Sequence, residues 1–162
     1  MRTDVIVCRE PGYEFPAKSG VAMETWELIV RESVRQTLAD YTAATDRFDL
    51  GALAACFGRD GVLEFTGGAD PLTGPAEIES GLASAMADPP SRKVPTHMRH
   101  HVSSICFESV ARDRVEVSSY FAVHTDVGLD HWGRYRDVLA PIDGRGCSRT
   151  VASESTVSPP TA

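Results

Sequence analysis

The chain has 162 residues, 42% of them hydrophobic, which suits one core of ordinary domain size and excludes a disordered acidic chain. Its 16 basic and 23 acidic residues leave a net charge of −7. Lysine occurs only at Lys18 and Lys93 and the arginines are scattered, so the cation stripe that displaces counterions from nucleic acid is missing and no nucleic-acid partner is expected. No apolar run approaches the ~20 residues of a membrane helix, and the Met1–Glu10 stretch is too short and too charged for a signal peptide. Cys8, Cys56, Cys106 and Cys147 are far apart with no C-x-x-C pair. They read as reduced, mostly buried thiols of a cytoplasmic protein rather than as disulfides or a zinc site.

In chain order, residues 1–22 read as an irregular extension broken by Pro11, Gly12, Pro16 and Gly20. A helix is predicted from Glu24, with Trp26, Ile29, Val30, Val34, Leu38 and Tyr41 forming one apolar stripe. One turn further that stripe reaches Thr45 and Asp46, which places an acid at the end of a buried face. Asp49 is the expected cap of a short second helix through Leu50, Leu53 and Phe57. Gly58–Gly61 reads as a turn and Val62–Phe65 as a strand. Pro75 opens a third helix with Ile78, Leu82 and Met86 as its inner face. Residues 88–95 carry three prolines and read as a loop.

The remainder is strand-like: Arg99–Val110 and Arg114–His124 as a hairpin, Trp132–Leu139 as a third long strand, and Cys147–Val157 as a last one. The polar run Arg145–Arg149 makes that last strand short or frayed in expectation, and residues 158–162 read as a disordered tail. Helices followed by long antiparallel strands predict an α+β fold, one domain over residues 23–157, with the N-terminal helices packed on a strongly curved antiparallel or mixed sheet.

Strand alternation converts these elements into a candidate site. His100, Val102 and Ser104 share one face, opposite His101, Ser103, Ile105 and Phe107; Val115, Val117, Ser119, Phe121 and Val123 line one face of the next strand. If His100 lies on the Val-rich side, a titratable ring projects into apolar surroundings, and the stripe ending at Asp46 approaches it from the helix. A carboxylate-held histidine is a standard general base. Tyr135 and Asp137 share a face with His131, and Tyr135 is a candidate hydrogen-bond donor; Arg134 and Arg136 point the other way, toward surface acids such as Glu116. His97 and His101 fall on the face opposite His100, so a three-histidine metal site is disfavoured and no metal is expected.

Tyr41-x-x-x-x-Asp46, the Phe57–Phe65 segment, Arg99-His100-His101-Val102-Ser103-Ser104, Ser119-Tyr120-Phe121 and Gly133-Arg134-Tyr135-Arg136-Asp137 together resemble the SnoaL-like family of the nuclear transport factor 2-like superfamily, from about residue 24 to Gly144. The resemblance implies a cone-shaped α+β barrel, often dimeric, with a deep pocket and no cofactor. Its relatives include scytalone dehydratase, dehydrochlorinase, ketosteroid isomerases and polyketide cyclases. In the dehydratase and dehydrochlorinase, a His on the first long strand and an Asp closing the first helix form the catalytic pair, and these match His100 and Asp46. The tyrosines of the dehydratase are replaced by Thr45 and Phe65, and its second His falls at Thr125, one residue from His124.

The expected function is a cofactor-independent lyase or isomerase acting by acid–base chemistry on a small, mostly apolar substrate through elimination, isomerisation or aldol-type cyclisation. His100, Asp46 and Tyr135 are the catalytic candidates, and Tyr41, Phe65, Val102, Ser119, Phe121, Val123 and Asp137 the pocket candidates. A homodimer is expected. The rival readings are a non-catalytic small-molecule-binding domain and a structural subunit resembling the small subunit of ring-hydroxylating dioxygenases.

Overall fold

The computed structural model describes residues 23–65, 70–87, 97–142 and 146–157. The expected extension over 1–22, the loop 88–95 and the tail 158–162 lie outside the described residues. Helix α1 (Thr25–Asp46) is followed by α2 (Leu50–Ala54), β1 (Phe57–Phe65), β2 (Leu72–Thr73), α3 (Pro75–Ala87), β3 (Met98–Val110), β4 (Val115–Thr125), β5 (Gly128–Ile142) and β6 (Gly146–Val157). They form a cone-shaped α+β barrel. The sheet order is β2-β1-β6-β5-β4-β3, with β1 and β6 parallel and every other pair antiparallel. Helix α1 packs against β3, β5 and β6, so the sheet curls about it. Among the described residues no helix is long and apolar enough to cross a membrane.

The α1 stripe buries Val34, Leu38 and Tyr41, together with Thr37 and Ala44. Ile29, assigned to that stripe by spacing, instead faces outward at 61% exposure. The helix stops because Phe48 takes a left-handed backbone (φ 56°), while the Phe48 and Asp49 N–H groups donate to the carbonyls of Thr45 and Ala44. Asp49 then caps α2, its carboxylate accepting from the Ala52 N–H at 3.0 Å. On α3 only Ile78 is fully buried; Leu82 is partly buried and Met86 exposed, so the inner face is shorter than its spacing predicts.

Two corrections concern strands. Phe57 opens β1 rather than extending α2, and Gly58–Gly61 is a wide irregularity within β1 rather than a turn before it: between the Phe57–Arg149 and Val62–Val151 pairs, β1 advances five residues while β6 advances two. Gly61 is required there, since a Cβ would lie 2.7 Å from the Arg149 carbonyl oxygen. The last strand is neither short nor frayed. It pairs with β5 from Gly146 to Val157 and with β1 on its other side.

A third correction follows from β3. Its pairing with β4 shifts register between Ser103 and Cys106, where Ser104 has φ 51°. The extra residue reverses the alternation, so Ile105 and Phe107 lie on the same inner side as His100 and Val102, not opposite them. The core consequently has two parts along α1. One gathers Val34, Leu38, Val115, Val117 and Leu139 near the β3–β4 turn. The other gathers Tyr41, Leu53, Phe57, Leu63, Ile78, Phe121, Val123 and Tyr135 toward the Asp46 end. Each fully buried aliphatic side chain contributes about 1.5–3 kcal/mol.

Candidate active site

Asp46 is the last residue of α1, and the end of that helix meets β3 at His100. One carboxylate oxygen of Asp46, Oδ1, accepts from the His100 backbone N–H at 3.0 Å and lies 2.7 Å from His100 Nδ1. An ionised carboxylate only accepts, so Nδ1 carries the proton and Nε2 keeps its lone pair. The two side chains are 7% and 17% exposed. Burial holds the His100 pKa below its ordinary value; the Asp46 hydrogen bond and charge pull it back up, and the charges of His131 and His101 push it further down. The arrangement is an imidazole held through Nδ1 by a carboxylate, beside an apolar wall.

That wall comes from inward positions of β4 and β5. His100, Val123 and His131 form one rung across three strands, and Val102 and Phe121 the next. Val123 and Phe121 are buried, while Val102 and Phe65 are partly buried against the same cluster. Phe121 stacks on Tyr135 at 4.3 Å, and the Tyr41 ring meets Tyr135 edge-on at 6.3 Å. Ser119 pairs with Tyr135, and its buried hydroxyl makes no hydrogen bond. Tyr135 lies four residues along β5 from His131, about 13 Å at strand rise. The structure thus brings Asp46 to His100 and leaves Tyr135 deeper in the cone.

Asp137 sits deeper still and faces another partner. Arg149 Nη2 donates to Asp137 Oδ1 at 2.6 Å, both side chains being fully buried. The guanidinium lies 4.0 Å from the Tyr41 ring centroid and 5.6 Å from those of Phe57 and Tyr135. Burial pushes the Asp137 carboxyl up, and the adjoining guanidinium draws it back. Spacing alone treats Arg149 as one member of a polar run; nothing local in the sequence marks it as buried. On the outer face, Arg134 pairs with Glu108 and Ser118 rather than Glu116, which pairs with Arg114. His101 is also outside, edge-on to His124 at 5.2 Å. Among the described residues no group of three or more His, Cys, Asp or Glu side chains is placed to hold a metal ion.

The family model for the SnoaL-like domain matches residues 26–145. A scytalone dehydratase candidate from Novosphingobium aromaticivorans is similar in structure, with a TM-score of 0.67 at 19% identity over 83% of this chain and 89% of that one. ActVI-ORFA from Streptomyces coelicolor superposes with a TM-score of 0.66 at 17% identity, over 78% of this chain and 96% of its own. A protein of unknown function with a cystatin-like fold from Nostoc punctiforme gives 0.65 at 21% identity, over 78% and 90%. At these identities the likeness is one of fold. No curated protein matches the sequence significantly.

Proposed function

Because the chain belongs to the SnoaL-like domain family, we propose that it is a cofactor-independent acid–base enzyme acting on a small, mostly apolar organic molecule. The observation that carries this reading is the His100 ring, 7% exposed and held through Nδ1 at 2.7 Å by Asp46. Nε2 of His100 takes a proton from an activated C–H of the substrate, and Asp46 stabilises the imidazolium that forms. A base whose pKa lies below its ordinary value remains unprotonated at neutral pH, ready to accept. Elimination, isomerisation and aldol-type cyclisation all begin with this step. Tyr41, Phe65, Val102, Phe121 and Val123 supply the apolar wall that positions substrate and excludes water. Tyr135 and Ser119 supply hydroxyls at the deep end for a substrate long enough to reach them. Asp137 Oδ1 accepts from Arg149 Nη2, so this reading gives Asp137 no part in the proton transfer.

Deuterium uptake α to the carbonyl of a benzylic ketone such as 2-tetralone, followed by NMR in heavy water, tests proton abstraction without presupposing the later steps. His100→Ala is expected to slow exchange about 10²–10⁴-fold. Exchange at the wild-type rate in that variant overturns the assignment.

We infer also a homodimer formed through the outer face of β3–β5, in a reducing, cytoplasmic setting suited to the free thiols Cys56 and Cys106. Tyr120, Leu129 and Trp132 are 55%, 43% and 36% exposed there, around a groove of about 480 Å³ that includes His101 and His124. Light scattering should give twice the 17.5 kDa chain mass, falling to one chain in Tyr120→Lys/Trp132→Lys. A wild-type monomer contradicts it.

A further inference from the structure

We propose that His101 and His124, on the outer face of the sheet, are one half of a tetrahedral zinc site whose other half is the same pair from a second copy of this chain. The inference rests on the outer-face dimer given above and adds what ties its two copies together. His101 pairs with Ala122 across the β3–β4 ladder and His124 pairs with Arg99. The two histidines are therefore diagonal neighbours on adjacent strands, within reach of each other. Ala122, opposite His101, is too short to separate them. Their ring centroids lie 5.2 Å apart with 87° between the planes. Two imidazoles sharing one tetrahedral ion, with nitrogen–zinc bonds of about 2.1 Å, have centroids about 5 Å apart. Both residues are exposed, so packing does not stop either ring from turning a nitrogen toward a shared ion. Imidazole is a ligand that suits zinc, and the net charge of −7 favours an approaching cation.

The inner histidines do not offer the same arrangement. His100 and His131 have centroids 6.5 Å apart, too far to share a tetrahedral ion, and each is already held through Nδ1 by a carboxylate, Asp46 for one and Asp130 for the other. One chain alone does not complete the outer site. Zinc takes four ligands, and among the described residues no third His, Cys, Asp or Glu side chain joins His101 and His124. Arg99, the charged residue paired with His124, donates its guanidinium to the Met98 carbonyl. A symmetric dimer supplies the missing ligands, because in a two-fold interface the same patch meets itself. The groove that holds both histidines also carries the exposed side chains of Tyr120, Leu129 and Trp132. Apolar contact brings the copies together there, and the ion fixes their register.

Analytical ultracentrifugation of the full chain, dialysed against EDTA and then titrated with zinc chloride, tests this. Zinc should tighten dimerisation about 10²-fold or more, the gain from presenting a second pair of ligands at high local concentration, with one zinc bound per two chains. His101→Ala and His124→Ala should each dimerise as the metal-free wild type does, with the zinc response lost. Histidine ring NMR gives a second readout: zinc should shift the His101 and His124 resonances and leave those of His100 and His131 in place. A metal-free dimer that zinc does not tighten overturns the bridge and leaves the outer-face dimer standing. Chains that stay monomeric with and without zinc overturn both. Zinc that shifts His100 or His131 instead, or a zinc response kept by both alanine variants, puts the ion elsewhere and overturns the site.

Discussion

Two close acid–base contacts inside this cone, Arg149–Asp137 and His100–Asp46, look alike by distance and differ in kind. At the waist, Arg149 and Asp137 meet at 2.6 Å with both side chains fully buried. At the rim, His100 and Asp46 meet at 2.7 Å with some solvent access. A guanidinium keeps its proton at any accessible pH, so the waist pair cannot exchange one; its work is to hold a buried charge pair against the rings of Tyr41, Phe57 and Tyr135. The imidazole can gain or lose a proton, and burial lowers its pKa while Asp46 partly offsets that. Burial together with the capacity to change protonation, not proximity, separates a pair that supports the fold from a pair suited to chemistry.

The contrast is sharpest in stability. Arg149→Met strands a buried carboxylate and should cost about 3–5 kcal/mol, whereas Arg149→Met with Asp137→Leu removes both charges and should recover most of that loss. Urea unfolding of the two variants measures it, and a double variant as unstable as the single one breaks the distinction. At the rim the effect moves to turnover. Asp46→Asn should reduce deuterium exchange by at least about tenfold, while costing no more than about 1–2 kcal/mol in the same unfolding assay, the usual cost of a lost part-buried hydrogen bond. A large stability loss with unchanged exchange would place Asp46 with the structural pair.

The smallest effect concerns pH. His100 titrates lower in the fold than its ordinary value of 6.5, so the unfolded chain takes up this proton first. Its contribution to stability is fully present above that value and fades as pH falls from it toward the lowered folded pKa. His100→Gln should flatten the wild-type decline in that acid window, read as melting temperature against pH. A wild-type slope that survives the substitution assigns the decline to other groups.

Much of the rim was legible in sequence because it rests on regular periods. The α1 stripe ends at Asp46, and the alternation of Val115, Val117, Ser119, Phe121 and Val123 marks the inner side of β4. What escaped lies where a residue interrupts the period. Ser104 turns Ile105 and Phe107 inward, the Gly58–Gly61 irregularity keeps β1 continuous past what reads as a turn, and the bulge at Asp130 gives His131 a carboxylate partner that alternation assigns to the other face. A period-two reading cannot register an inserted residue. Arg149 escaped for a different reason: its burial depends on Asp137 across the β5–β6 pairing and on Tyr41 from α1, and no local pattern encodes contacts from two other elements.

The most direct test of the account is nitrogen-resolved NMR of the His100 ring across pH in wild type and Asp46→Asn. A His100 base requires a neutral ring at pH 7 with the proton on Nδ1 and a bare Nε2, and a pKa that falls further once the Asp46 charge is gone. A protonated ring at pH 7, or a neutral ring with its proton on Nε2, leaves no lone pair toward the pocket and contradicts the assignment of His100 as the base.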